Sequence, residues 1–399
     1  MTWNKAKNNM TKRKAMSHLS KSQIRTLDDT ELQDIDHSGD LRDRIMSLLR
    51  LRIPFSDIFI YQDQPIMIKR QSELFYASDS FRAHSIVTES DIDQFFDAIE
   101  PDWQDILMKG ESFDRSRNLG ETRIRAHCSY SSNRTSKAIV IRRFPGEPLP
   151  LKSIGLSPQA QAFTAFDRGL ILIIGDMCQG KSTTLASMLD DINQNRSGHI
   201  LTIEDPIETI IPIRRCLITQ REVGPFGDCT SFLEGTKAAL RQQPNVIMIG
   251  EIRDEETALE AVIAAESGPL VIATIHAKSP ESGIARMSRL LGGSSIQAEA
   301  LSAVLKGVVY QVLIPNPNGI ESHLACETIT MNSTFSSFVA SQDFGKIREA
   351  LSGPQNHPGC HSLNTVLKQL ILNKNIELKN ALTASTDREK LQSDLRDKQ

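Results

Sequence analysis

Gly175-Asp-Met-Cys-Gln-Gly-Lys-Ser-Thr183 matches the pattern GxxxxGK[ST]. An apolar run, residues 170–174, precedes this stretch, and a segment with helical spacing, residues 184–192, follows it. The pattern forms a phosphate-binding loop in this strand–loop–helix context. Glycines at 175 and 180 let the backbone curl so that its N–H groups face phosphate oxygens, and the N-terminus of the following helix adds partial positive charge. The stretch therefore predicts an α/β fold built around a nucleotide site.

The polar residues of the loop have distinct predicted roles. Lys181 is expected to contact the β and γ phosphates of ATP, the Ser182 hydroxyl to bind Mg²⁺, and Thr183 to approach the α phosphate. The alternative is a glycine-rich turn without a ligand, which the strand–loop–helix context disfavours. The predicted nucleotide-binding residues of the loop are Gly175, Asp176, Met177, Cys178, Gln179, Gly180, Lys181, Ser182 and Thr183.

Two further apolar runs end in carboxylates. Glu204 follows residues 200–203, and Glu251 follows residues 246–249 after one glycine. An NTPase needs one carboxylate beside Mg²⁺ and another for the attacking water, and parallel sheets present such groups at the carboxyl ends of strands. Each segment alone is equally a solvated strand end. Beside a phosphate-binding loop in the same sheet, the catalytic interpretation is favoured.

His276 ends a fourth apolar run, residues 270–275. A histidine at a strand end can donate to a γ phosphate, but a lone histidine is as often an ordinary core or surface residue. The residues alone leave both interpretations open.

Near-continuous apolar runs that alternate with helical segments predict a parallel sheet covered on both faces. Residues 41–144 instead mix short strand-like runs with amphipathic helices, as in a small α+β domain. The predicted organisation is a disordered basic tail (1–38), an α+β domain (39–144), a proline-rich linker (145–158), an α/β domain that is helix-rich after about residue 280 (159–385), and a frayed polar tail (386–399).

The composition excludes several classes of protein. A net charge of −3 and a pI near 6.3 argue against a protein that coats nucleic acid. Six scattered cysteines without a CxxC pair predict neither a zinc site nor a disulfide framework. No apolar run approaches the roughly 18–20 residues of a membrane span, and no secretory signal is recognisable. The expectation is a cytoplasmic protein without membrane insertion.

These segments together resemble the secretion and pilus ATPases of the GspE/PulE/PilT superfamily, and most closely its PilT-like branch. Residues 200–208 resemble the family's Asp box, 250–254 its Walker B region and 274–276 its His box, while Gln220-Arg-Glu-Val-Gly224 and residues 305–315 match adjoining segments. Residues 55–59 and 65–69 resemble the opening of its PAS-like N-terminal domain, and residues 123–125 resemble its arginine strand.

The resemblance implies a RecA-like ATPase domain after the PAS-like domain, in a ring of six subunits that moves a partner machine. It also implies that Glu204 is the base for water, that Glu251 binds on the magnesium side and that His276 contacts the γ phosphate. Arg123, Arg125 and Arg143 become candidates to reach phosphate from a neighbouring subunit. The expected partner is an inner-membrane platform or coupling protein, contacted from the cytoplasm. The machine is a type IV secretion or conjugation system, as in the DotB/TraJ branch, or a retracting pilus.

Several departures from the family pattern bear on activity. The family loop usually reads GPTGSGKST, so Met177, Cys178 and Gln179 make this loop bulkier and predict slow hydrolysis. Gln243-Pro-Asn245 stands where Asp-Pro-Asp is usual, the AIRN-type retraction helix is not recognisable at residues 334–340, and the zinc-binding tetracysteine of the assembly ATPases is absent. The competing hypotheses are a non-hydrolysing nucleotide-gated scaffold and a DNA-pumping enzyme.

Overall fold

The computed structural model describes residues 25–26, 39–51, 55–70, 73–77, 86–120, 122–144, 146–224, 227–317, 322–352 and 360–396. The chain divides into two compact units, Met1–Phe144 and Pro145–Gln399. Apart from Arg25 and Thr26, the predicted disordered tail lies outside the described residues. No helix within these ranges combines the length and the apolar character that a membrane span requires.

The described part of the first unit is a seven-stranded sheet, ordered β1-β4-β3-β2-β7-β6-β5, whose strands share one apolar core with the helices. Ile45 and Phe96 of the helices pack against Ile58 and Ile124 of the sheet in one core. The strands are β1 (Arg25–Thr26), β2 (Asp57–Tyr61), β3 (Met67–Arg70), β4 (Glu73–Tyr76), β5 (Phe113–Leu119), β6 (Thr122–Ser131) and β7 (Ser136–Arg143); the helices are α1 (Leu41–Arg50), α2 (Glu89–Ile99) and α3 (Trp103–Met108).

The second unit contains the predicted parallel sheet, in the order β10-β9-β11-β12-β8-β13-β14-β15. The first six strands in this order, from β10 through β9, β11, β12 and β8 to β13, run parallel. Strands β14 and β15 add an antiparallel edge. The strands are β8 (Gly169–Ile174), β9 (Gly198–Glu204), β10 (Cys216–Glu222), β11 (Val246–Ile249), β12 (Leu270–Ile275), β13 (Leu305–Pro315), β14 (Ser322–Thr330) and β15 (Cys360–His361). Every residue of β8, β11 and β12 is buried, as strands covered on both faces require.

Helices cover both faces of this sheet and form two apolar cores with it. They are α4 (Pro158–Gln161), α5 (Lys181–Asn195), α6 (Phe232–Leu240), α7 (Glu255–Glu266), α8 (Pro280–Leu290), α9 (Ser295–Val304), α10 (Ser333–Ala340), α11 (Phe344–Ser352), α12 (Leu363–Leu372), α13 (Leu378–Ala384) and α14 (Arg388–Arg396). The predicted fold class is confirmed: an α/β domain with a mostly parallel sheet follows an N-terminal domain rich in strands.

The structure differs from the expected helix-rich segment after residue 280, because β13 and β14 lie within it. The apolar run of β13 pairs with β8, with Val308 opposite Leu172 and Val309 opposite Ile173, so it extends the sheet. Its β-branched valines favour a strand, and this preference outweighs the helical spacing of the apolar residues.

The ends of the α/β unit also differ from expectation. The proposed linker contains a one-turn 3₁₀ helix, Leu151–Ser153, and Leu151 and Leu156 are buried in a core of the second unit. The C-terminal segment expected to fray forms α14 instead, since Leu391 is completely buried against that unit's other core. Single apolar residues in polar stretches decide both cases, and a composition argument does not detect them.

Candidate nucleotide-binding site

The strand order brings the predicted site residues to one edge of the sheet. In the order β9-β11-β12-β8, all parallel, Glu204 ends β9, Glu251 follows β11, His276 follows β12 and the loop follows β8. Residues that are far apart in the sequence therefore become neighbours at the carboxyl ends of the strands, where open α/β sheets bind ligands.

The phosphate-binding loop has the backbone that its glycines predict. A Cβ atom at Gly175 would lie 2.7 Å from the Gln311 carbonyl oxygen, so only glycine fits there. Gly180 has a φ of 77° and forms the N-cap of α5 without a side-chain cap. Helices α6 and α7, in contrast, are capped by the side chains of Ser231 and Asp254. The N–H groups at the start of α5 thus have no side-chain acceptor, which fits a phosphate group at this position.

Lys181 lies folded over its own loop. Its Nζ donates to the carbonyl oxygens of Gly175 at 2.9 Å and Asp176 at 2.7 Å, and it is 3.4 Å from Nδ1 of His276. The three contacts match the three hydrogens of an ammonium group. Burial of the side chain lowers the pKa of Lys181, although the charge of Glu251 acts in the opposite direction.

His276 connects Lys181 to Glu251. Its Nε2 is 3.0 Å from Glu251 Oε1, while its Nδ1 faces the lysine. Because an ammonium group only donates, Nδ1 accepts and the ring proton lies on Nε2, where it is donated to the carboxylate. The other oxygen, Oε2 of Glu251, accepts a hydrogen bond from Arg253 Nε at 2.8 Å. The structure therefore brings together three of the four predicted catalytic residues in one hydrogen-bonded chain.

Glu204, the fourth, has its own partners on β9 and β10. Its Oε1 accepts hydrogen bonds from Thr202 Oγ1 at 2.7 Å and from Gln220 Nε2 at 3.0 Å. Asp205 instead faces Arg253, with 3.7 Å between its Oδ2 and Arg253 Nη1. The sequence did not assign a role to Thr202, Gln220 or Arg253. The available signal was the two-residue spacing of polar side chains, Thr202 and Glu204 on β9 and Gln220 and Glu222 on β10, which puts each pair on one face of its strand.

The bulkier residues of the loop do not fill its interior. The side chain of Met177 is 77% exposed, and Cys178 is also exposed. Gln179 instead attaches the loop to β13: its Oε1 accepts from the Leu313 backbone N–H, and its carbonyl accepts from Gln311 Nε2, both at 2.7 Å. Since Leu313 lies beyond the last residue that pairs with β8, Gln179 satisfies a backbone donor on the overhanging strand.

Ser182 is exposed in the first turn of α5, and Thr183 beside it is half-buried. No cluster of three or more His, Cys, Asp or Glu side chains in the described ranges could hold a metal ion by itself. The predicted pair of Ser182 and Glu251 is nevertheless consistent with Mg²⁺, which commonly takes one or two protein ligands and completes its shell with phosphates and water.

The three candidate arginines lie in the first unit, on two different faces of its sheet. Arg125 Nε pairs with Asp114 at 2.9 Å, and Arg123 Nη1 is 3.4 Å from Asn118 Oδ1. Both project from the β6 face opposite the buried Ile124, because side chains alternate along a strand. Arg143 is in register with Ile124, on the other face, with its guanidinium 5.5 Å from the centre of the Phe55 ring.

Comparison with known proteins identifies the family. The model of the family described as type II/IV secretion system protein matches residues 119–392. The chain is 34% identical over 266 residues to the type IV pilus retraction ATPase PilT of Pseudomonas aeruginosa, an alignment that covers 66% of this chain and 75% of that protein.

Two solved structures have a fold similar to that of this chain. A crystal structure of the pilus retraction motor PilT with bound ADP superposes with a TM-score of 0.77 at 31% identity, covering 89% of this chain and 99% of the other. The ATPase DotB of Yersinia pseudotuberculosis superposes with a TM-score of 0.71 at 24% identity, covering 88% and 95%, which is a likeness of fold.

The alignments with three curated relatives span 57%, 75% and 52% of those proteins' own lengths. The family model, in contrast, spans more than half of this chain, and it includes every segment at the edge of the parallel sheet that the motifs had singled out. The chain therefore belongs to the type II/IV secretion system protein family, within the GspE/PilT superfamily of traffic ATPases.

Proposed function

We propose that this chain hydrolyses ATP at the carboxyl edge of the parallel sheet and converts the reaction into mechanical work for a type IV pilus or secretion machine. The observation that carries the proposal is the hydrogen-bonded chain Lys181–His276–Glu251, formed beside an uncapped helix N-terminus. Glu204 ends the strand next to that of Glu251. This arrangement offers positive charge for phosphates and carboxylates for a proton and a metal ion.

Each residue has a role that its geometry supports. Lys181 and the first N–H groups of α5 neutralise the charge of the β and γ phosphates. Ser182 and Glu251 would hold Mg²⁺, which supplies further positive charge to the phosphate oxygens when bound. Glu204 accepts the proton of the water whose oxygen bonds to the γ phosphorus. The bond from that phosphorus to the β–γ bridging oxygen breaks, so ADP is the leaving group and inorganic phosphate is released.

The contacts of Lys181 also define what ATP has to replace. All three donors of its ammonium group are engaged, two by loop carbonyls and one by His276. A β or γ phosphate oxygen takes the place of at least one of these acceptors. Where the phosphate replaces His276, the contact of Nδ1 with Lys181 is lost, and the Nε2 proton is donated either to Glu251, as in this structure, or to a γ phosphate oxygen.

The assembly and the machine are further parts of the proposal. Six copies form a ring in the cytoplasm, beside an inner-membrane platform or coupling protein, and an arginine of the first unit reaches the nucleotide of the neighbouring copy. The identity of 34% to a pilus retraction ATPase favours a pilus-type machine, since the likeness to DotB is one of fold. Conjugation or effector secretion is the alternative machine.

Phosphate release from the purified chain with ATP and Mg²⁺ tests the enzymatic part. Lys181→Ala and Glu204→Gln should each lower the rate about 100-fold or more, because they remove phosphate neutralisation and the base. Glu204→Gln should still bind ADP, whereas Lys181→Ala should bind it more weakly.

Lys237→Ala and Glu234→Gln are matched controls, since both side chains are exposed on α6. Neither should change the rate. Phosphate release by the wild type that is no faster than that of Lys181→Ala would contradict the proposed ATP hydrolysis and favour a non-hydrolysing nucleotide-gated scaffold.

A further inference from the structure

Gln220 lies at the point where the edge strand β10 meets the proposed base. Its Nε2 donates to Glu204 Oε1 at 3.0 Å and to the Thr209 carbonyl at 2.9 Å, and its Oε1 accepts from the Ile211 N–H at 2.9 Å. The amide group is therefore engaged on both sides.

The orientation of this amide follows from its partners. A backbone N–H can only donate, so the atom that faces Ile211 must be the oxygen, and the nitrogen must face Glu204 and Thr209. Reversal of the amide would set an oxygen against the carboxylate and the Thr209 carbonyl, and a nitrogen against another donor. The segment of residues 205–211 thus fixes Gln220 as a donor to Glu204.

Strand register explains why these side chains meet. Gln220 is directly opposite Thr202, and Glu222 is directly opposite Glu204. The two-residue period of a strand puts all four side chains on one face of the β9–β10 pair. Thr202 donates to the same oxygen of Glu204, at 2.7 Å. Two donors on Oε1 fix the carboxylate plane, and with it the direction of Oε2.

We propose that Gln220 is a positioning residue which, together with Thr202, holds the carboxylate of Glu204 in the orientation that accepts a proton from the attacking water. The inference rests on the proposed function, because it takes Glu204 to be the base. Donors to a carboxylate also favour its ionised form, which is the form that acts as a base. Gln220 itself does not touch water or nucleotide in this role.

Steady-state ATP hydrolysis by the full chain, measured from pH 5 to 9, tests the inference. Gln220→Leu removes the amide, and Gln220→Glu keeps an oxygen for the Ile211 N–H but loses the donor to Glu204. Both should lower kcat about 10- to 100-fold while KM changes less than about threefold. The acid limb of the kcat profile should move to higher pH, because the base loses a donor that favours its charged form.

Thr202→Val should lower kcat in the same direction, and Thr219→Val is the matched control. Thr219 is the neighbour of Gln220 on β10, and its hydroxyl is 2.9 Å from His199 Nε2 rather than near Glu204. This control should leave kcat and the pH profile unchanged.

The outcomes separate the inference from the function on which it rests. Wild-type chain without hydrolysis overturns both. An active wild type and an inactive Glu204→Gln, with Gln220→Glu at wild-type kcat and pH profile, overturn the positioning role alone. A lower melting temperature or a higher KM for the Gln220 variants, at unchanged kcat, shows that Gln220 only supports residues 205–211 and also overturns it.

Discussion

Among the residues of the phosphate-binding loop, Cys178 departs from the family pattern at a position with a special backbone conformation. It has a φ of 60°, in the left-handed region that glycine adopts without a steric penalty. The sequence shows that a bulkier residue stands where the family usually has glycine. Only the structure shows that its backbone has the conformation of a glycine.

Cys178→Gly should therefore stabilise the chain. Left-handed backbone costs a non-glycine residue about 1–2 kcal/mol, and the larger entropy of glycine in the unfolded chain offsets about 0.5–1 kcal/mol of the gain. The expected increase in the free energy of unfolding is about 0.5–1 kcal/mol, measured by denaturant titration. Cys178→Ala removes the thiol but keeps the Cβ atom and should not stabilise. Equal effects of the two substitutions would refute the backbone explanation.

At the scale of elements, β14 carries a buried carboxyl group beneath the start of α12. The side chain of Ser362, the N-cap of α12, makes no capping hydrogen bond, and the Leu363 N–H donates instead to Glu327 Oε1 at 3.4 Å. Burial raises the pKa of Glu327 to about 7; the charge of Glu281 acts in the same direction, and that of Arg348 against it. Glu327 has no role in the proposed nucleotide site, so we expect its titration to affect the stability of the fold.

The raised pKa makes the fold less stable as pH rises. Below pH 4.5 the carboxyl group is protonated in both states, and between pH 4.5 and about 7 only the unfolded state loses the proton, which favours unfolding. Glu327→Gln keeps an oxygen for the Leu363 N–H and removes the titration. Its stability relative to wild type should therefore increase by about 3 kcal/mol between pH 4.5 and pH 8, measured by denaturant unfolding. A difference that does not vary with pH would contradict this account.

Elements also differ in how far the sequence predicts them. The bounds of β11 and β12 agree with their apolar runs because every residue in them is buried. The edge strand β10 has one fully buried residue, Cys216, and an otherwise mixed pattern, so no apolar run marks it. Its pairing with β9 is a tertiary contact, and the partners of Glu204 depend on it.

For the assembled ring, the proposal that an arginine acts on the neighbouring copy can be tested by mixing two inactive variants. If Arg123, Arg125 or Arg143 completes the site of the next subunit, the Ala variant of that arginine should be inactive alone, as should Lys181→Ala. In mixed rings, some sites combine an intact Lys181 with an intact arginine from the neighbour. Equal mixing should restore roughly a quarter of wild-type phosphate release.

The double variant that carries both substitutions, mixed with Lys181→Ala, is the control, since none of its sites can be completed. It should remain inactive. An inactive arginine variant that mixing with Lys181→Ala does not restore would place that arginine in its own subunit's site instead.

Local spacing and runs of apolar residues are enough to locate the phosphate-binding loop and the buried parallel strands and to recognise the family. Which side chains meet, in contrast, depends on how the strands are arranged in the fold. Lys181 reaches His276 across 95 positions and Gln220 reaches Glu204 across 16, and both contacts require the order and register of strands in the sheet. Register is set by the packing of whole elements, which no local pattern contains.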